Sequence, residues 1–302
     1  MGARVYRRAV VLGGGGLTGV SWLTGVLAAF EAADIPLGDA DLVLGTSAGS
    51  VVGTQLAAGR PFAKQYRFLA AEHVPAREML MRLYRAMPKP TGEVIEQLGR
   101  QFLASTSAST EETRADAGRA ALAADTMPAP AWVLLVSLYL RTHRWPGPAL
   151  GVTAVDVQDG SVRVFRAADG VPVTRAVAAS TAVPQVFPPV MIQGRRYMDG
   201  GTRTATNADL AAEHDVVLLF VDHRALPSGQ GPLSRAAIDA EIAALRSGGA
   251  TVVEVSPDDA SVDALGDLEA LDPDRIGPSA RAGRVQGEAE AERVAAAWPA
   301  RS

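Results

Sequence analysis

The chain has 302 residues, a formal net charge of −4 and no cysteine, and 48% of its residues are hydrophobic. This length and composition are typical of a globular protein with a core of its own and exclude a disordered chain. The weakly acidic charge argues against a nucleic-acid-binding surface, and the lack of cysteine excludes disulfides, thiolate zinc sites and a cysteine nucleophile.

The first 60 residues alternate between short apolar strands and helices. Residues 8–12 predict a strand that ends at four glycines, and residues 18–33 carry apolar side chains at helical spacing. A second strand is predicted at residues 41–44, followed by a tight turn and a helix at residues 47–58. This order of elements predicts an α/β core.

Residues from about 61 to 148 differ from this core and predict a helical cap inserted into it. They are rich in Arg, Glu and Ala and are interrupted by two proline-containing segments. Residues 131–140 are apolar throughout, which favours a buried helix or strand of the cap. A wall of an acyl-chain site and a membrane-contact surface are the alternative interpretations.

The remaining chain predicts more strands and three further helices. A hairpin is predicted at residues 151–157 and 162–166, extended segments at 190–198, a buried strand at 215–221 and a strand at 251–255. Helices are predicted at residues 174–180, 238–246 and 279–298, the last of them covering a sheet edge. Residues 257–275 predict an acidic loop. We therefore predict one domain over residues 1–302, with the cap and a C-terminal helical tail at about 277–302.

Three short motifs carry the candidate chemistry. The first is a glycine-rich loop between the first strand and helix, which can direct backbone N–H groups at an oxyanion or a phosphate. It consists of Gly14, Gly15, Gly16, Leu17, Thr18 and Gly19. The loop also fits the dinucleotide fingerprint G-x-G-x-x-G, but the acidic residue expected at the end of the second strand is missing. A tight structural turn is the other alternative.

The second motif is G-x-S-x-G, formed by Gly45, Ser47 and Gly49 where a predicted strand meets a predicted helix. Such a sharp turn exposes the serine hydroxyl, and glycines on both sides remove steric clashes. The alternative interpretation makes Ser47 only a helix N-cap.

The third motif, Asp199-Gly200-Gly201, follows the run A-S-x-A-x-P-x-x-F-P-P-V at residues 179–190. The motifs occur in the order glycine loop, G-x-S-x-G, this run, then D-G-G. In this order the sequence resembles the patatin-like phospholipases over residues 8–60 and 150–256. The resemblance implies a three-layer α/β/α sandwich with a mostly parallel sheet.

The resemblance also implies roles for the matching residues. Ser47 would be the nucleophile, Asp199 would complete a catalytic dyad, and the loop at residues 14–19 would supply oxyanion donors. No metal or cofactor would be needed. The sequence departs from the family at Thr18, where Arg or Lys is usual, so that a positive charge near the oxyanion is lost. This departure favours a neutral ester or lysolipid as much as a phospholipid.

A histidine triad is the alternative mechanism, because the order Ser47, Asp199, His223 matches that of the α/β-hydrolases. The dyad is favoured because those enzymes place their nucleophile much later in the chain. The other histidines are His73, His143 and His214.

We expect a serine ester hydrolase acting on lipid acyl esters. The alternatives are a catalytically silent lipid-binding protein, a general carboxylesterase or transacylase, and a nucleotide-binding oxidoreductase. The N-terminus does not match a signal peptide and no apolar run reaches membrane-spanning length, so a cytoplasmic protein is expected. A basic cluster of Arg82, Arg85 and Lys89 suggests peripheral membrane contact. The physiological substrate and the oligomeric state are left open.

Overall fold

The computed structural model describes residues 6–71, 109–147, 149–222, 234–266 and 270–298, together with residues 75, 78, 79, 82 and 85. Within these ranges eight strands form one sheet: β1 (Arg8–Leu12), β2 (Leu42–Gly45), β3 (Leu150–Asp156), β4 (Val162–Phe165), β5 (Val190–Ile192), β6 (Arg195–Asp199), β7 (Val216–Phe220) and β8 (Thr251–Val255). The strand order is β5-β6-β3-β2-β1-β7-β8, and β4 pairs with β3.

The central strands of the sheet are parallel. β1 pairs in parallel with β2 and β7, and the parallel set continues to β3 on one side and β8 on the other. The antiparallel pairs involve β3 with β4, β3 with β6, and β5 with β6. The predicted hairpin of β3 and β4 is therefore confirmed, and the carboxyl ends of β1 and β2 meet at one edge, as parallel strands require.

The helices begin and end close to the predicted positions in the first half of the chain. The helices of the described ranges are α1 (Gly16–Ala32), α2 (Ala48–Ala57), α3 (Phe62–Ala70), α4 (Glu111–Ala123), α5 (Ala129–Leu140), α6 (Val173–Ser180), α7 (Arg235–Ser247), α8 (Asp259–Leu265) and α9 (Ile276–Ala297). None of the helices in the described ranges is both long enough and apolar enough to cross a membrane.

Both faces of the sheet are covered, because side chains alternate between two separate cores. Val10 and Leu12 of β1 belong to a core shared with α1, α2, α6 and α9. Ala9 and Val11 of the same strand pack with α7 on the opposite face. The α/β/α sandwich with a mostly parallel sheet, as predicted, is the observed fold.

One prediction for the C-terminal region was wrong, and another was incomplete. Residues 257–275 are not all loop, since α8 lies within them. Its N-terminus is capped by the Asp258 carboxylate, which accepts a hydrogen bond from Ser261 N. α9 reaches the edge strand β8, where Arg293 donates to the Glu254 carbonyl oxygen at 2.8 Å, but it packs mainly on α1: a Cβ at Gly283 would lie 2.2 Å from the Trp22 carbonyl oxygen. Small residues let the two helix backbones approach this closely.

The described part of the predicted cap region is mostly helical, with non-helical segments at residues 124–128 and 141–147. α3 packs on α1 and α9, whereas α4 packs its Ala117 against Val155, Val157 and Met198 at the β3–β6 end of the sheet. The interpretation of residues 131–140 as a buried helix of the cap was right in part: they lie in α5, whose Trp132, Val136 and Leu140 are buried, but Leu134 is 59% exposed. Residues 86–108 of the cap lie outside the described residues, and the domain organisation stays a prediction.

Candidate active site

Ser47 lies on a strained turn between β2 and α2. Its backbone angles are φ 51° and ψ −119°, which an L-residue rarely adopts and which are typical of a nucleophile elbow. The flanking glycines make this turn possible. A Cβ at Gly45 would lie 2.5 Å from Ser50 Cα, and one at Gly49 would lie 1.9 Å from the Leu12 carbonyl oxygen.

Asp199 is the last residue of β6, and its side chain is buried. The residue is 4% exposed, and Oδ1 accepts a hydrogen bond from Gly201 N at 2.7 Å. The main chain of Asp199 is also held, because its N–H donates to the Ala182 carbonyl oxygen at 3.0 Å. The carboxylate is therefore fixed by its own D-G-G turn.

Burial raises the pKa of Asp199 from its ordinary value to about 7. The Ser47 hydroxyl and the Gly201 N–H interact with the carboxylate and lower the pKa in part. Oδ2 is buried, and no donor among the described residues meets the distance and angle of a hydrogen bond to it. The structure thus brings Ser47 and Asp199 together, with a carboxylate that can exchange a proton near neutral pH.

The glycine loop supplies fewer open N–H groups than its six residues suggest. The N–H groups of Gly14, Thr18 and Gly19 donate to backbone carbonyls within the protein at 2.9, 3.2 and 2.9 Å. Gly16 and Leu17 line the cleft beside the serine, and their N–H groups donate to no other described residue. Gly16 and Leu17 are therefore the residues of the loop whose N–H groups lie beside the serine without an acceptor among the described residues.

Thr18 is fully buried. Its hydroxyl lies 3.5 Å from the Gly15 carbonyl oxygen and does not face the cleft. The loop consequently brings no cationic side chain to the serine.

A cleft with an empty volume of about 1000 Å³, partly open to solvent, lies beside Ser47. Ser47, Ser21, Thr181 and Tyr139 are the hydroxyl-bearing residues among the described ones that line it. The Trp132 and Phe187 rings stack in its wall with centroids 4.0 Å apart. The other apolar lining residues are Leu17, Val20, Ala48, Val51, Leu69, Leu135, Val136, Val183, Leu271 and Ile276. Such a surface suits an acyl chain.

Two buried polar residues near the serine received no role from the sequence. The Ser180 hydroxyl accepts a hydrogen bond from Ser47 N at 2.9 Å. Asn207 donates from Nδ2 to the Thr46 hydroxyl at 3.1 Å. Both lie in stretches that match the family, but their contacts join residues more than 130 positions apart, so that only the folded chain reveals them.

The two histidines in the described ranges lie away from the cleft. His143 is exposed, with Nδ1 3.3 Å from the Thr174 hydroxyl, and His214 is buried, with Nδ1 3.1 Å from the Ala211 carbonyl oxygen. His73 and His223 lie outside the described residues, so the triad alternative stays a prediction. Across the described ranges, no group of three or more His, Asp or Glu side chains is arranged to hold a metal ion.

This fold and elbow define a class of α/β proteins, in which a strained serine stands at the carboxyl edge of a mostly parallel sheet. The family model described as "Patatin-like phospholipase" matches residues 10–212. The chain therefore belongs to the patatin-like phospholipase family, which confirms the resemblance seen in the sequence.

Two solved structures are similar to most of this chain. The type III effector protein ExoU shares 17% identity at a TM-score of 0.38, over 96% of this chain and 53% of its own. VipD from Legionella pneumophila shares 13% identity at a TM-score of 0.39, over 96% of this chain and 67% of its own. The chain thus spans about half the length of ExoU. No curated protein matches the sequence.

Proposed function

We propose that the protein is a serine hydrolase of lipid acyl esters, with Ser47 as nucleophile and Asp199 as general base. The observation that carries the proposal is the buried Asp199 carboxylate beside the strained turn of Ser47, where burial raises its pKa to about 7. A serine hydroxyl becomes an effective nucleophile when a neighbouring base takes its proton, and a base with a pKa near the working pH does so best.

In the proposed reaction Ser47 Oγ attacks the ester carbonyl carbon while its proton passes to the Asp199 carboxylate. The carbon–oxygen bond to the alcohol then breaks, and the alcohol leaves with that proton. Water attacks the acyl-enzyme in the second half, again losing a proton to Asp199. Release of the fatty acid returns the proton to Ser47.

The proposed oxyanion donors are the N–H groups at two helix starts. Gly16 and Leu17 begin α1, and Ala48 follows the nucleophile at the start of α2; all three line the cleft with Ser47. Helix N-termini favour negative charge, so that both helices would stabilise the tetrahedral intermediate.

The proposed substrate is an ester with one long acyl chain in the apolar cleft. None of the described lining residues carries a formal charge, which favours neutral esters and lysolipids in the part of the site that is described. A silent lipid-binding protein would use the same cleft, and a transacylase would use another alcohol in place of water.

The decisive experiment is labelling of the native protein by a fluorophosphonate probe with mapping of the adduct by mass spectrometry. We expect one phosphonyl group per chain, located on the peptide that contains Ser47, and no adduct on heat-denatured protein. An adduct elsewhere would refute Ser47 as nucleophile. Folded protein that neither reacts nor hydrolyses p-nitrophenyl esters of any chain length would indicate the silent lipid-binding protein.

We also propose that α5 contacts the lipid surface from which substrate enters. Leu134 and Leu138, one helical turn apart, are 59% and 58% exposed, while Leu135 and Tyr139 of the same helix line the cleft. In the predicted basic cluster, Arg85 pairs with Asp274, which offsets its charge. Lys89 lies outside the described residues.

The double variant Leu134→Glu/Leu138→Glu is expected to lose most binding to anionic phosphatidylcholine–phosphatidylglycerol vesicles at low salt, because two charges would replace exposed apolar side chains. Hydrolysis of a soluble short-chain ester should be unchanged. Leu122→Glu is the matched control, since Leu122 is 45% exposed on α4. No flotation of the wild-type protein, or equal losses in the control, would argue against this surface.

A further inference from the structure

Asn207 occupies a buried position between the elbow and the D-G-G turn. The residue is fully buried and has a left-handed backbone conformation, with φ 54° and ψ 35°. Asparagine tolerates this conformation better than most residues, because its short polar side chain bonds locally. The sequence placed it only in a stretch that looked familial.

Its side-chain amide bridges the two loops that carry the candidate dyad. Nδ2 lies 3.1 Å from the Thr46 hydroxyl, next to Ser47, and 3.2 Å from the Gly200 carbonyl oxygen, next to Asp199. A third acceptor, the Thr204 carbonyl oxygen, also lies at 3.2 Å. Carbonyl oxygens only accept hydrogen bonds, so they fix which end of the amide points at the two loops.

The acceptor end of the amide and its backbone are held as well. Arg203 donates to Asn207 Oδ1 at 3.0 Å, and Asn207 N donates to the Thr204 hydroxyl at 2.8 Å. Glu241 of α7 accepts hydrogen bonds from the residues on either side, Thr206 and Ala208. The backbone carbonyl of Asn207 accepts a hydrogen bond from Leu210 N at 3.2 Å, so every polar group of Asn207 has a partner among the described residues.

We infer that Asn207 is a positioning residue that sets the separation between Ser47 and Asp199. The inference rests on the proposed function. Asn207 does not line the cleft, so it acts through the neighbours of the dyad and not on the substrate. A displacement of reacting groups by about 1 Å can cost roughly a hundredfold in rate, and a link between both loops opposes such a displacement.

The test compares Asn207→Gly with Gln193→Gly. Glycine retains the left-handed backbone but removes the amide. Gln193 is a matched control because it also has a positive φ, of 49°, and an amide that donates to a backbone carbonyl, that of Asp169 at 3.0 Å. It lies in the β5–β6 turn, at the opposite end of β6 from Asp199. Asn207→Asp, which keeps the shape but loses both donors, is the second variant.

We expect Asn207→Gly and Asn207→Asp to lower kcat and the fluorophosphonate labelling rate by roughly 10- to 100-fold, with KM changed less than about twofold. Gln193→Gly should leave both rates at the wild-type value. In an Asp199→Asn background the effect of Asn207→Gly on the labelling rate should disappear. The distance between residues 47 and 199 no longer affects the rate there, because residue 199 cannot take the serine proton.

Equal labelling rates in Asn207→Gly and Gln193→Gly would overturn the inference. So would a loss of the same size in the Asp199→Asn background, since that would reveal general destabilisation of the fold. If Asn207→Gly does not fold, the same comparisons are made with Asn207→Asp. An unreactive wild-type protein would instead refute the proposed function. Failure of the inference about Asn207 and failure of the proposed function therefore give different results.

Discussion

Asp199→Asn is expected to lower kcat at pH 8 by roughly 10²- to 10⁴-fold, the range that general bases contribute. The amide has nearly the same shape, and its oxygen can still accept the hydrogen bond from Gly201 N, so the fold should be retained. It cannot take the proton of Ser47. In the wild type kcat should rise with pH to a plateau above about 7, because Asp199 acts in its ionised form and burial raises its pKa to about 7.

The same substitution is expected to stabilise the protein above neutral pH. The carboxyl of Asp199 loses its proton near pH 3.9 in the unfolded chain and near 7 in the folded one. Between these values the folded state binds more protons, so stability falls as pH rises from about 4 to 7. Asp199→Asn removes this loss. The difference in Tm between Asp199→Asn and the wild type should therefore increase in favour of the variant from pH 4 to pH 8.

Ser47→Ala is the matched control, because it should abolish turnover and labelling while keeping the buried carboxylate. Its Tm should still fall as the pH rises, and the fall should extend to a higher pH than in the wild type, because the Ser47 hydroxyl lowers the pKa of Asp199. An acidic limb in the pH profile of Asp199→Asn like that of the wild type would contradict the dyad. That result would point to another base, and His223→Ala would then be the variant to measure.

The core of the fold was predictable from the sequence because its signals are local. β1 and β7 are continuous apolar runs, and β8 lies where it was predicted, at Thr251–Val255. α8 was missed because its seven residues stand within an acidic stretch, where two aspartates indicated a loop. In the folded chain one of them, Asp258, caps the helix.

The candidate site was predictable only in part. Ser47 and Asp199 stand in recognisable motifs, but their contact depends on the pairing of β3 with both β2 and β6, which no local pattern encodes. The raised pKa of Asp199 depends on burial, which is a property of the assembled core. The position of α9 on α1 was missed because small residues at the contact give a weak apolar signal.

Gly49→Ala is expected to prevent folding. A Cβ at residue 49 would lie 1.9 Å from the Leu12 carbonyl oxygen and 2.4 Å from its carbon, which are backbone atoms of the central strand β1. α2 cannot move away easily, since Gly49 N donates to the Gly13 and Thr46 carbonyl oxygens at 3.0 and 2.8 Å. We expect the substitution to remove most of the free energy of unfolding, which is roughly 5–15 kcal/mol for a domain.

Gly53→Ala in the same helix is the matched control. There the nearest atoms are the ends of two side chains, Val43 Cγ1 at 3.2 Å and Leu12 Cδ1 at 3.3 Å, which can rotate. Alanine also favours a helix over glycine by about 1 kcal/mol, so the change should be nearly neutral. Soluble yield and urea denaturation compare the variants. A Gly49→Ala protein as stable as Gly53→Ala would mean that α2 can separate from β1. The second glycine of G-x-S-x-G would then be needed for the turn that holds the serine and not for the packing of helix on strand.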